Sequence, residues 1–131
     1  MTIYLDSSAL VKLVVHEPES EALRGFLRGR TDGHTTSALS RTEVVRAAGG
    51  HRVESVATAR GMLDAMHDIA VSRSLLDAAA DIAVRLGVKS LDAIHLATAQ
   101  SLRQHLDVLV TYDRRMVEAA TELGLPVASP T

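Results

Sequence analysis

Short runs of β-forming residues alternate with longer runs of helical periodicity along all 131 residues, and this alternation constrains the fold more than any other feature. The first run, TIYL at residues 2–5, stops at Asp6, and a helical segment follows from about Ser8 to Val15. Pro18 restarts the chain as PESEALRGFLRG, a helix whose acidic first turn (Glu19, Glu21) and basic end (Arg28) suit the helix dipole. His34 to Thr36 reads as a second strand. Ser37 or Ser40 then caps a helix through TEVVRAAGG, which Gly49 and Gly50 are expected to end. Residues 54–67 predict another helix, Ile69–Val71 a third strand, and LLDAAADIAVRLG an amphipathic helix stopping at Gly87. Ser90 opens LDAIHLATAQSL, DVLVT is the fourth strand, RRMVEAATELG the last helix and PVAS an edge strand. The expected architecture is a single α/β domain over residues 1–131. It is an α/β/α sandwich with a short, mostly parallel central sheet flanked by helices.

Composition removes several function classes. There is no Cys, so neither a disulfide framework nor a thiolate metal site is available. The apolar N-terminus is interrupted by Asp6 and Lys12 and lacks the basic start of a signal peptide, so the expected location is the cytoplasm, without membrane insertion. A formal net charge of −2 is not the strong basic excess usual in nucleic-acid binders. The 14 basic residues are nevertheless Arg apart from Lys12 and Lys89, and Arg suits bidentate phosphate contacts. Aromatic residues are 2% of the chain, which argues against base recognition by stacking platforms.

Four acids stand where chemistry can use them. Asp6 ends the first strand, Glu43 lies early in a helix, Asp92 opens a helix and Asp113 follows DVLVT. In sheets of this kind, sites form beyond the carboxyl ends of strands, near the point where strand order reverses. If those ends converge, the four carboxylates share one pocket and require a cation to remain ionised. Hard oxygen donors suit Mg²⁺ or Mn²⁺. Each acid also has a structural reading. Asp92 complements a helix dipole, Glu43 pairs with Arg46 three residues on, Asp6 is a turn residue, and Asp113 starts a helix. The six His residues form no HExxH-type pair, so zinc chemistry is disfavoured. His95, three residues after Asp92, is read first as a packing and hydrogen-bonding residue. A phosphoacceptor role for Asp6, as in haloacid-dehalogenase-like phosphatases, needs a second Asp two residues later, where Ser8 stands.

Four segments occur together and in order: YLDSSALVKLVVHE, TSALSRTEVVRA, SLDAIHLATA and LVTYDRRMVEAATELGLPV. On them the chain resembles PIN domains, and within these the VapC-type toxins of bacterial toxin–antitoxin pairs. The resemblance runs from residue 3 to about 127 and is least informative at residues 50–75. It implies a Mg²⁺-dependent endoribonuclease (with Mn²⁺ as a substitute) whose metal is held by Asp6, Glu43, Asp92 and Asp113. Ser7 and Thr111 occupy positions that support the acidic cluster. It also implies an RNA substrate, a cognate VapB-type antitoxin and a homodimer. Lys12, Arg46 and Arg114 are the basic residues expected to contact RNA phosphates, with Arg41 and Arg46 on different helix faces. The competing expectation is a PIN-like protein-binding module with a weak or idle metal site, in which the alanine-rich helices supply the interface.

Overall fold

The structure, a computed structural model, describes residues 1–30 and 32–131. Five strands form its sheet: β1 (Thr2–Leu5), β2 (Gly33–Ser37), β3 (His67–Ile69), β4 (Leu106–Val110) and β5 (Val127–Ala128). Their order is β3-β2-β1-β4-β5, and every neighbouring pair is parallel. The chain therefore builds outward from β1 to β3 on one side, then returns to the centre and builds outward again through β4 and β5. The order reverses at β1, which places the carboxyl ends of β1 and β4 side by side at the topological switch point.

Among the described residues seven helices cover the sheet: α1 (Ser7–Val14), α2 (Ser20–Arg28), α3 (Ser40–His51), α4 (Ser55–Asp64), α5 (Arg73–Leu86), α6 (Ser90–Ser101) and α7 (Arg114–Glu122). Two apolar cores result from the two-residue period of the strands. Ile3 and Leu5 of β1 and Val108 and Val110 of β4 pack with Leu10, Leu23, Val44 and Leu63, beneath α1 to α4. Tyr4 and Leu109 point to the other face, against Leu96, Met116 and Ile82 from α5 to α7. The register between β1 and β4 shifts at Thr2/Ile3, where Thr2 faces Leu106 but Ile3 faces Val108. That extra residue sends Leu106 into the Tyr4 core although it lies two before Val108.

Three boundaries differ from the sequence expectation. Helix α3 continues through Gly49 and Gly50 to His51, because both glycines adopt helical backbone with no positive φ. Its N-cap is Leu39, without a side-chain hydrogen bond, while Ser37 ends β2 and Ser40 is the first helical residue. Strand β3 occupies His67–Ile69, two residues before the expected position, so α4 ends at Asp64. The pairing of Thr35 with His67 and Ser37 with Ile69 sets that register. A short 3-10 turn at Arg103–His105, not anticipated, delivers the chain into β4. Gly87 does end α5, at φ 70°, a left-handed position natural for glycine. No helix of the described residues is long and apolar enough to cross a membrane.

Candidate active site

Parallel pairing aligns Leu5 with Val110, so the next residues on each strand, Asp6 and Thr111, leave the sheet together. The Asp6 amide donates to Val110 O at 3.2 Å, and the Thr111 hydroxyl donates to Asp6 Oδ2 at 2.6 Å. Asp6 Oδ1 accepts from the Ala9 amide at 3.0 Å and the Ser8 hydroxyl at 2.6 Å, which makes Asp6 the N-cap of α1. The carboxylate is only 4% exposed. Burial pushes its pKa up, against the opposing effects of the His95 charge and of the hydrogen bonds from Ser8, Thr111 and Ala9.

The same hydroxyls hold the backbone that leads into the fourth acid. Thr111 Oγ1 accepts from the Asp113 amide at 3.2 Å, and Ser8 Oγ from the Tyr112 amide at 3.0 Å. Asp113 caps α7, its Oδ1 accepting from the amides of Arg115 (2.9 Å) and Met116 (3.2 Å). The turn and helix-start readings of Asp6 and Asp113 therefore hold locally. Capping fixes each carboxylate by one oxygen at the mouth of the switch point.

Glu43, half-buried in the first turn of α3, does not pair with Arg46. Its Oε1 accepts from the Ser7 hydroxyl at 2.5 Å and meets His95 Nε2 at 2.7 Å. Burial raises the Glu43 pKa, but the His95 and Ser7 hydrogen bonds and the His95 charge outweigh it and hold the group below the ordinary value. Asp92, in the first turn of α6, takes no side-chain hydrogen bond among the described residues. Burial raises its pKa first and the charge of Asp113 next, with smaller contributions from Asp6 and Glu43 against the lowering effect of His95. Asp92 thus lies in the field of the other three carboxylates. The remaining His residues lie apart from this cluster, and His16, His51, His67 and His105 are exposed.

Among the described residues no three His, Asp or Glu side chains form a ready-made ligand group for a metal ion. The donor set nevertheless fits a hard divalent cation in kind. It consists of carboxylate oxygens, three of which raise the pKa of the fourth at Asp92, and Asp6, Glu43 and Asp113 are each anchored by hydrogen bonds. Mutual repulsion holds such groups apart until positive charge arrives.

The basic candidates separate. Lys12 is buried, its ammonium 3.0 Å from Glu19 and 3.5 Å from Glu17, and 4.7 Å from the Tyr112 ring centroid. Arg46 is exposed and lines a depression of about 540 Å³ with Glu43, Ser7, Val11, Leu39 and Leu91. Arg114 is exposed at the start of α7. Arg41 turns to another face and pairs with Asp64 at 2.7 Å. Two site residues escaped the sequence reading, Tyr4 and Ser8. Tyr4 lies two before Asp6, on the same face of the strand by the period of two, and that spacing was the available signal.

A family model described as PIN domain matches residues 3–122. Ribonuclease VapC46 of Mycobacterium tuberculosis is 46% identical over 129 residues, covering 98% of both chains. Ribonuclease VapC35 of the same species is 44% identical over 131 residues, covering 98% of this chain and 96% of its own. The fold is that of M. tuberculosis VapC20, described as a sarcin-ricin loop cleaving toxin, with TM-score 0.81 at 14% identity over 98% and 99% of the two chains. It is also that of a chain in a Klebsiella pneumoniae toxin–antitoxin complex, with TM-score 0.76, 22% identity and 98% of each chain covered. This chain belongs to the PIN-domain family and, within it, to the VapC ribonucleases.

Proposed function

We infer that this protein is a divalent-metal-dependent endoribonuclease, the toxin of a VapBC-type pair, with Mg²⁺ as its ion. The observation that carries the reading is that Asp92 lies in the field of Asp113, Asp6 and Glu43, beside the carboxyl ends of β1 and β4. High identity to ribonucleases over nearly the full length supports the same chemistry here. A bound divalent ion supplies a water of lowered pKa and positive charge opposite the reacting phosphate.

The residues of the chain do the rest. Asp6, buried and fixed through both oxygens, is the most immobile of the four and the natural anchor for the ion. Asp92 and Asp113 stand half-exposed at two helix starts, where a phosphodiester enters from solvent. Glu43, kept ionised by Ser7 and His95, is placed to hold or deprotonate the attacking water. Ser7 and Thr111 restrain Glu43 and Asp6 respectively. Arg46 and Arg114 are exposed beside these acids and suit bidentate contacts to flanking phosphates. Lys12 is engaged by Glu17 and Glu19, so its contribution is to hold α1 against the start of α2. The partners proposed are an RNA, a VapB-type antitoxin and a second copy of the chain, in the cytoplasm.

The test is cleavage of a total-RNA pool by antitoxin-free protein, with Mg²⁺, with EDTA, and by Asp6→Asn. Asn caps α1 as well as Asp does, so the fold is expected to survive while cleavage is lost. Cleavage by Asp6→Asn at unchanged Mg²⁺ would overturn the assignment. The rival reading, a binding module with an idle site, predicts no metal-dependent fragments and no metal binding by titration.

A further inference from the structure

Behind Glu43 lies a buried polar chain that the proposed hydrolysis does not itself require. Tyr4 is fully buried in the central strand, yet its hydroxyl stands 2.7 Å from His95 Nδ1. The two rings meet edge to face, centroids 5.9 Å apart at 72°. His95 is 2% exposed, on the second turn of α6, and its other nitrogen faces Glu43 Oε1 at 2.7 Å and Ser7 Oγ at 3.2 Å. Every side-chain hydrogen bond to the Glu43 carboxylate among the described residues falls on Oε1.

The hydrogen positions follow from chemistry. A carboxylate oxygen accepts only, so Nε2 must carry a hydrogen to approach Oε1 at that distance. When the ring is uncharged, Nδ1 is bare and accepts from the Tyr4 hydroxyl; when it is charged, Nδ1 donates to the Tyr4 oxygen, and in both states Nε2–H stays on Glu43. Burial raises the pKa of Tyr4 well above its ordinary value, so this O–H is retained. The reverse tautomer would set lone pair against lone pair at Glu43 and donor against donor at Tyr4, unless the hydroxyl turned away.

We propose that Tyr4 and His95 are positioning residues: the hydroxyl of β1 fixes the ring tautomer and rotation of His95, and His95 clamps Oε1 of Glu43, leaving Oε2 for the cleft. The device ties the centre of the sheet to an acid on α3 through a residue of α6. Glu43 is therefore held by three elements instead of by its own flexible side chain. This rests on the reading of Glu43 as a working carboxylate of the site. Partners of this kind, standing behind a metal-binding group, commonly matter by about 10- to 100-fold in activity or affinity.

The experiment has two parts. Imidazole ¹⁵N NMR of the metal-free protein is expected to show His95 protonated at Nε2 with a hydrogen-bonded Nδ1, and Tyr4→Phe is expected to shift the Nδ1 signal. Single-turnover cleavage then compares His95→Leu, which removes the donor, with His95→Gln, whose amide nitrogen falls near the place of Nε2. We expect His95→Leu to lower kcat by about 10- to 100-fold at little-changed KM, and His95→Gln to recover most of it. Equal activity of His95→Leu and wild type, or an unshifted Nδ1 signal in Tyr4→Phe, overturns the inference. If His95→Leu fails to fold, the Tyr4→Phe spectrum and turnover decide, since the ring that fills the core is kept. Glu43→Gln separates the two levels. A fully active Glu43→Gln removes the underlying reading, whereas an inactive one beside an active His95→Leu removes only the positioning device.

Discussion

Asp6 carries two roles that normally fall to different residues. It caps α1, which any Asn or Ser would do, and it buries a carboxyl at 4% exposure, which capping alone does not require. Asp92 shows the same tension without the cap. Burial and three like charges raise its pKa, so the folded protein binds its proton more tightly than the unfolded chain does. Its contribution to stability is full below the ordinary Asp value and is lost as pH rises through the raised one. Asp92→Asn is therefore expected to stabilise the metal-free protein at neutral pH. The gain, after screening at this half-exposed position, is on the order of 0.5 kcal/mol, a Tm rise of about 1–3 °C, and it disappears in acid. Melting in EDTA across pH measures it, and a difference independent of pH would mean that Asp92 titrates as an ordinary surface acid. The same variant is expected to lose cleavage, so stability and activity move in opposite directions. All four acids were legible as candidates from their places after strands and at helix starts. The Glu43 partners were not, since residues 7, 43 and 95 meet only in space, and the near neighbour Arg46 was an equally good guess.

At the scale of the element, helix α3 separates two glycines that the sequence treats alike. A Cβ on Gly49 would stand 2.9 Å from Val56 Cγ2 of α4, whereas one on Gly50 would meet nothing within 4 Å. Val is stiff at χ1 and cannot swing aside cheaply. Gly49→Ala is thus expected to destabilise by roughly 1–3 kcal/mol through overpacking. Gly50→Ala is expected to stabilise by up to about 1 kcal/mol through helix propensity. Denaturant titration of both variants checks the pair, and equal effects would contradict the α3–α4 packing. The pair of glycines looked like a stop signal because glycine usually ends helices. Here Gly49 instead buys close approach. Strand β3 was misplaced by two residues for a related reason. Residues 66–71 contain no strict alternation, and pairing with β2, not local propensity, chose His67–Ile69.

For the whole molecule, the fold brings Asp92 into the field of three separately encoded carboxylates. On the proposed function, Mg²⁺ or Mn²⁺ binding there would stabilise the native state by mass action, about 2.7 kcal/mol when the free ion is a hundredfold above Kd. A thermal-shift titration is expected to raise Tm for the wild type and much less for Asp6→Asn. An unmoved Tm up to millimolar metal would mean that the acids do not bind as a set. Local sequence was enough to determine the alternation of strands and helices and the α/β class, and it put four acids forward as candidates, because hydrophobic period, turn chemistry and helix signals act over a few residues. Strand order, the bulge that redirects Leu106, the capture of Lys12 by Glu17 and Glu19, and the Tyr4–His95–Glu43 chain were decided only by tertiary structure. Each depends on which distant segments the sheet and its two cores bring together, and that is a property of packing across the whole chain.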